Sequence, residues 1–260
     1  MISLEAGGVT AGVDAEAGGR LASLVVAGRE RLVTEGDGPT LWGCFPMAPW
    51  AGRVREGRFR WAGVDHQLPL RLPPHAMHGT VLDRPWTVVA EDGRGVTLEI
   101  DLGRDWPWPG RAVQELRLAP HQLELRLELH ADGEAFPASC GWHPWFRRPV
   151  DLDLDAASLW RRDASGIPTG ELVPAPESTE GLDDCLTGLR RPPRLRWPDG
   201  VELEVRSSCE HVVVFTEPAH AVCVEPQTGP PDALNLAPRV VGPDPLVATA
   251  TFRWAAPAPT

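Results

Sequence analysis

The chain has 260 residues, 42% of them hydrophobic, and a formal net charge of −11. That length suits one large domain with a substantial core, and the acidity argues against a nucleic-acid partner, which needs a basic face. Every one of the 25 basic residues is arginine, so lysine Schiff-base chemistry, and with it pyridoxal phosphate, is excluded.

No apolar run approaches the length of a membrane span, and the opening Met1-Ile2-Ser3-Leu4-Glu5 carries neither a basic leader nor a long apolar stretch. Five cysteines, Cys44, Cys140, Cys185, Cys209 and Cys223, lie scattered without CxxC spacing. The expectation is a cytoplasmic protein with reduced thiols, no membrane partner and no zinc site.

In chain order, most segments alternate with period two. Residues 57–61 (Gly-Arg-Phe-Arg-Trp) read as a strand turning at Ala62-Gly63, and 96–102 as another. Residues 115–118 and 123–129 put leucine on one face and charge on the other, joined into a hairpin by Ala119-Pro120-His121-Gln122. Residues 201–206 follow the turn Pro198-Asp199-Gly200. The apolar run 211–216 pairs with 221–224 through Glu217-Pro218-Ala219-His220, and 248–254 closes the series. With 28 prolines and 26 glycines spread throughout, long helices have little room. The pattern predicts an all-β sandwich or barrel, a single domain over 1–260. Residues 159–194 read as a long loop, and 255–260 as a tail.

Five polar clusters could carry chemistry. Glu225 follows the second strand of the 211–224 hairpin, desolvated on one side and open on the other, which suits a general base; a solvated strand end is the plainer alternative. In Pro46-Met47-Ala48-Pro49-Trp50-Ala51-Gly52-Arg53, the guanidinium of Arg53 could fork onto hydroxyls or be one more surface arginine. In Pro73-Pro74-His75-Ala76-Met77-His78-Gly79, Gly79 permits close backbone approach, and Trp86 nearby offers a flat face of the kind sugars stack on. His143 sits in Cys140-Gly141-Trp142-His143-Pro144-Trp145-Phe146, between two tryptophans, where Gly141 and Pro144 should interrupt a strand; a neutral imidazole there can act as acid or base. Asp183-Asp184, inside Gly181 to Gly188, reads by itself as turn chemistry.

Taken together and in this order, these clusters resemble the aldose 1-epimerase (galactose mutarotase) family. The matching stretches are the Pro46 to Arg53 turn before Gly57-Arg58-Phe59, His78-Gly79 before Arg84-Pro85-Trp86, His143-Pro144-Trp145-Phe146, and Glu225-Pro226-Gln227 before Pro231-Asp232-Ala233-Leu234-Asn235. The resemblance spans roughly residues 40–255. It implies a large β-sandwich of the supersandwich type, monomeric or homodimeric, acting on a small-molecule sugar without metal or organic cofactor. Carried over, Glu225 takes the proton of the anomeric hydroxyl and His143 protonates the ring oxygen. His78 hydrogen-bonds the sugar, Arg53 and Asp183 fix hydroxyls, with Asp184 an open alternative, and Gln227 assists. Two positions depart from the family pattern. Gly52 stands where many relatives carry asparagine, and Trp145 replaces a tyrosine at a substrate-binding position. Both bear on which sugar is accepted.

Other readings stay open at this level. His75, His78, His143 and Glu225 could form a metal set, although the two rings of a His-x-x-His strand face opposite ways. A non-catalytic sugar-binding protein could use the same scaffold. Arg53, Arg55, Arg71 and Arg84 could receive the phosphate of a hexose 6-phosphate. Cys140 with His143 could act as a hydrolase pair, although their spacing of three points them apart on a strand.

Overall fold

The computed structural model describes residues 1–255. Period-two alternation becomes two large antiparallel sheets. The eleven-stranded sheet runs Ile2–Ala6, Val9–Asp14, Arg20–Val26, Cys44–Met47, Gly141–Arg147, Ala221–Gln227, His211–Phe215, Asp183–Leu189, Ala156–Arg162, Pro168–Pro174, with Arg29–Glu30 beside Arg20–Val26. The eight-stranded sheet runs Thr87–Glu91, Gly95–Asp101, Gly110–Ala119, Gln122–Ala131, Leu246–Ala255, Glu202–Ser207, Arg194–Arg196, Asp151–Asp153. This is the all-β sandwich that the alternation and turn spacing lead to, of the large kind that the resemblance implies. Among the described residues, the α-helix is confined to Ala233–Leu236, and no helix is long and apolar enough to cross a membrane.

The core lies between the sheets. In the hairpin Gly110–Ala119 with Gln122–Ala131, Leu116 faces Leu125 and Leu118 faces Leu123, all buried, while Glu115 and Glu124 point to solvent. Phe146 of the first sheet meets Phe252 of the second, ring centroids 5.5 Å apart. Burying such a side chain completely stabilises the fold by about 1.5–3 kcal/mol. One polar clasp crosses this apolar layer. Trp142 Nε1 donates to Gln114 Oε1 at 2.9 Å, and Gln114 Nε2 donates to Gly19 O at 2.6 Å.

Four expectations are corrected. The segment 159–194 carries most of Ala156–Arg162, all of Pro168–Pro174 and all of Asp183–Leu189. The first two are half-exposed at the sheet edge and therefore lack the apolar alternation of a buried strand. Gly141–Arg147 is a continuous central strand despite Gly141 and Pro144. The strand bearing Glu225 continues through Pro226 to Gln227. A Cβ on Gly141 would lie 2.1 Å from Pro226 O, so the missing side chain lets these two strands run close together. Finally, Ala255 ends the strand Leu246–Ala255; the rest of the predicted tail, 256–260, lies outside the described residues.

Candidate active site

Register builds the site. Gly141 pairs with Gln227 and Trp145 with Cys223, so His143 stands opposite Glu225 on adjacent strands. Alternation then divides the two strands by face. Trp142, Phe146, Val222 and Val224 enter the main core, while Phe45, Trp145 and Cys223 belong to a separate apolar cluster on the other face, beside His143 and Glu225. That second face forms the wall of a cavity of about 510 Å³, within the range of small-molecule sites.

At the cavity wall, His143 Nε2 lies 3.2 Å from Glu225 Oε1, and Gln227 Nε2 donates to Glu225 Oε2 at 3.2 Å. His143 is held between Phe45, 4.9 Å away, and Trp145, 5.3 Å away and tilted by only 6°. The separation would allow an ion pair, but burial disfavours both charges. Burial drives Glu225 well above the usual carboxylate range, the negative charge of Asp183 adds to this, and Arg53 and Gln227 oppose it. Burial likewise drives His143 well below its ordinary value, with His78 as a second cause. Burial therefore opposes charge on each partner of this close contact.

His78 meets His143 edge-on at 5.2 Å. Its backbone N–H donates to Gly52 O at 2.9 Å, and its Nδ1 accepts from Gly52 N–H at 3.3 Å. That acceptance leaves the ring proton on Nε2. Burial first, then the charge of Arg53, pushes His78 down to about 3, so it is a neutral donor. The conformation is costly: His78 has φ 54°. Gly79 must be glycine, because a Cβ there would lie 1.8 Å from Ala48 O. Gly52 has φ 69° and backs onto Pro231, which accounts for glycine at this departure from the family pattern.

A charged wall faces these groups. Asp183 Oδ2 receives Arg53 Nη2 at 3.3 Å and Arg162 Nη1 at 3.1 Å, and Asp184 Oδ1 receives Arg162 Nε at 3.0 Å. Arg71 pairs with Asp83 across the cavity wall. Asp183 opens the strand Asp183–Leu189 rather than sitting in a turn, and both aspartates line the cavity. Indole Nε1 of Trp145, Oε1 of Gln227 and Nδ1 of His143 are buried in the protein without hydrogen-bond partners.

All seven expected site residues, Arg53, His78, His143, Trp145, Asp183, Glu225 and Gln227, line this one cavity. Other sequence suggestions are not assembled there. His75 is buried elsewhere, its Nδ1 accepting Glu56 N–H at 3.1 Å, which breaks up the four-ligand metal set. Trp86 is a core residue whose Nε1 donates to Val81 O. Arg55 is tied to Asp163 and Arg84 to Asp101. Burial raises the Cys140 thiol and keeps it protonated, removing it as a nucleophile. Ligand atoms of His143, Cys223 and Glu225 do lie within 4.8 Å of one another, all three buried, and burial and then Glu225 raise the Cys223 thiol.

Sequence reasoning missed Phe45, Arg162 and Arg20. Arg162 sits in Trp160-Arg161-Arg162-Asp163, where nothing separates it from its exposed neighbour Arg161. Arg20 is fully buried and donates to the carbonyls of Ala17, Trp42, Pro39 and Leu82, tying the two rim segments that carry Pro39 and Leu82.

A model of the aldose 1-epimerase family matches residues 1–249. The chain is 31% identical over 217 residues to the uncharacterized protein YphB of Escherichia coli (strain K12), covering 73% of this chain and 74% of that protein. A galactose 1-epimerase from Lactobacillus acidophilus NCFM superposes with a TM-score of 0.83 at 17% identity, covering 98% of this chain and 93% of that one. A galactose mutarotase-like protein from Clostridium acetobutylicum gives a TM-score of 0.86 at 15% identity, covering 98% and 94%. At these identities the superpositions establish the shared fold.

Proposed function

The chain belongs to the aldose 1-epimerase family, and from that premise we propose that it interconverts the α and β anomers of a neutral aldose by acid–base ring opening and closure. One observation carries this reading: His143 Nε2 and Glu225 Oε1 lie 3.2 Å apart on the wall of a sugar-sized cavity, both buried. Ring opening removes a proton from the anomeric hydroxyl and delivers one to the ring oxygen, so it needs two such groups within reach of one sugar ring.

The proposed cycle starts from a neutral pair, and a proton moves from Glu225 to His143 as the sugar enters, leaving a carboxylate and an imidazolium. Glu225 takes the proton of O1–H, the O1–H electron pair becomes the second C1–O bond, and the C1–O5 bond breaks. O5 takes the proton of His143 Nε2. The pair gains and loses one proton in the same step and returns to the neutral state that its burial favours. Rotation about C1–C2 presents the other face of the aldehyde, and closure runs the transfers backwards. His78 Nε2–H donates to a sugar oxygen, Gln227 orients Glu225, and the Arg53–Asp183–Arg162 wall offers alternating donors and acceptors to hydroxyls.

The same wall favours a neutral sugar over a hexose 6-phosphate. Arg53, Arg71 and Arg162 are each engaged by Asp183, Asp83 or Asp184, so a phosphate dianion would meet carboxylates along with every guanidinium. The test is polarimetry on freshly dissolved α-glucose, α-galactose and glucose 6-phosphate. Accelerated mutarotation of a neutral sugar supports the reading. Acceleration confined to the phosphate replaces the substrate, and none on any aldose turns the site into a binding pocket.

A further inference from the structure

Arg53 occupies a weakly supported piece of backbone. Its strand, Arg53–Val54, is two residues long and, among the described residues, pairs only with Ala76–Met77. The guanidinium itself is met by Asp183, but so short a ladder gives its backbone little support. The support comes from 177 residues away along the chain, from Asp232 and Asn235. Asp232 N–H donates to Arg53 O at 2.6 Å, and Asp232 Oδ1 accepts Arg55 N–H at 2.9 Å. One residue thus grips the backbone on both sides of Val54. Asn235 Nδ2 donates to the same Oδ1 at 2.8 Å and to Arg58 O at 2.9 Å, which fixes the carboxylate and the start of the next strand. Asp232 is 3% exposed and holds a φ of 63°, a left-handed conformation that side chains other than asparagine and aspartate adopt reluctantly. A buried, strained carboxylate that accepts from the Arg55 backbone amide and the Asn235 side-chain amide is arranged for placement, not for contact with a ligand.

We propose that Asp232, oriented by Asn235, is a positioning residue that sets Arg53 for sugar recognition. The proposal rests on the epimerase reading for its catalytic readout. It gives a task to the Pro231-Asp232-Ala233-Leu234-Asn235 stretch, whose side chains otherwise do nothing in the reaction. Pro231 completes the arrangement by filling the space in front of Gly52, where a Cβ would lie 2.9 Å from Pro231 Cβ.

The test is a double-mutant cycle on kcat/KM with Asp232→Gly and Arg53→Ala. Glycine accepts the left-handed conformation, so this variant removes the carboxylate without adding strain. Asp232→Gly alone should lower kcat/KM by roughly tenfold to a hundredfold, as expected when a binding group is displaced by about 1 Å. In the Arg53→Ala background it should cost no more than about twofold, since independent sites would add and these two do not. Asp232→Asn keeps an acceptor oxygen and tolerates the backbone, and should restore near-wild-type values. If Asp232→Gly fails to fold, Asn235→Ala carries the same cycle with a smaller loss. Equal losses in both backgrounds would overturn the proposal, because Asp232 would then be acting on the fold generally. A second readout needs no sugar: the Arg53 Nε–Hε NMR signal, assigned by its absence in Arg53→Ala. It should be sharp in wild type and Asp232→Asn and lost to solvent exchange in Asp232→Gly. If wild type neither binds nor epimerises any aldose, the epimerase reading fails, while an unchanged Arg53 signal in Asp232→Gly refutes the clasp itself.

Discussion

Replacing Glu225 by glutamine should abolish catalysis while making the protein less sensitive to alkali. The amide matches the carboxylate in shape and keeps an oxygen near His143 Nε2 and another hydrogen-bonding atom near Gln227, both contacts being 3.2 Å in the native protein. Only the transferable proton is lost. One positioned proton transfer is worth about 10²–10⁴ in rate, so kcat should fall by that factor, about 2.7–5.5 kcal/mol in barrier. KM should change little, because the hydroxyl-binding wall is untouched. Stability follows from linkage. Burial raises Glu225 above its ordinary value of 4.5, so between that value and the raised one the folded chain holds a proton that the unfolded chain releases. The stabilisation is complete below 4.5 and is lost as pH rises through the folded value. Glu225→Gln has no such group, and its melting temperature should fall less steeply from pH 5 to 9 than that of wild type. Polarimetry and thermal unfolding across this range read both effects. A variant retaining more than a tenth of wild-type kcat, or melting curves with identical alkaline slopes, would refute the reasoning.

Three further outcomes follow from the same geometry. Arg162→Met should raise KM for a neutral aldose several-fold with kcat largely kept, since the ion pairs of Arg162 go to Asp183 and Asp184 and not to His143 or Glu225; steady-state kinetics decide. Gln114→Leu leaves Trp142 Nε1 and Gly19 O buried without partners, at about 1–3 kcal/mol each, which should lower Tm by several degrees in a calorimeter. His78, held near 3 against an ordinary 6.5, contributes stability that is present above 6.5 and lost as pH falls toward 3. His78→Gln should therefore flatten the acid limb of the stability curve, as measured by urea unfolding at stepped pH.

The strands that were legible in the sequence are those with one face in the main core. The leucine hairpin alternates so strictly because its outer face is solvated while its inner face meets the opposite sheet. Legibility failed where a strand is buried on both faces, as in Gly141–Arg147 and the last three residues of Ala221–Gln227, since period-two contrast vanishes when both sides are covered. It failed again beside the sheet edge in Ala156–Arg162, where both faces are partly wet. The catalytic candidates fall on the first kind, so they were found by residue type and resemblance rather than by pattern.

The sequence alone determined the all-β class, the absence of lysine chemistry, and the identities of a carboxylate and an imidazole able to exchange protons. Those properties are local: they depend on alternation, turn residues and the functional groups present. The tertiary structure decided that His143 faces Glu225, that burial disfavours charge on both, that Arg162 joins Asp183, and that Asp232 grips the backbone around Arg53. Each depends on strand register or on burial among residues distant in the chain, and a charge's environment is set by what packs around it, which no stretch of sequence carries by itself.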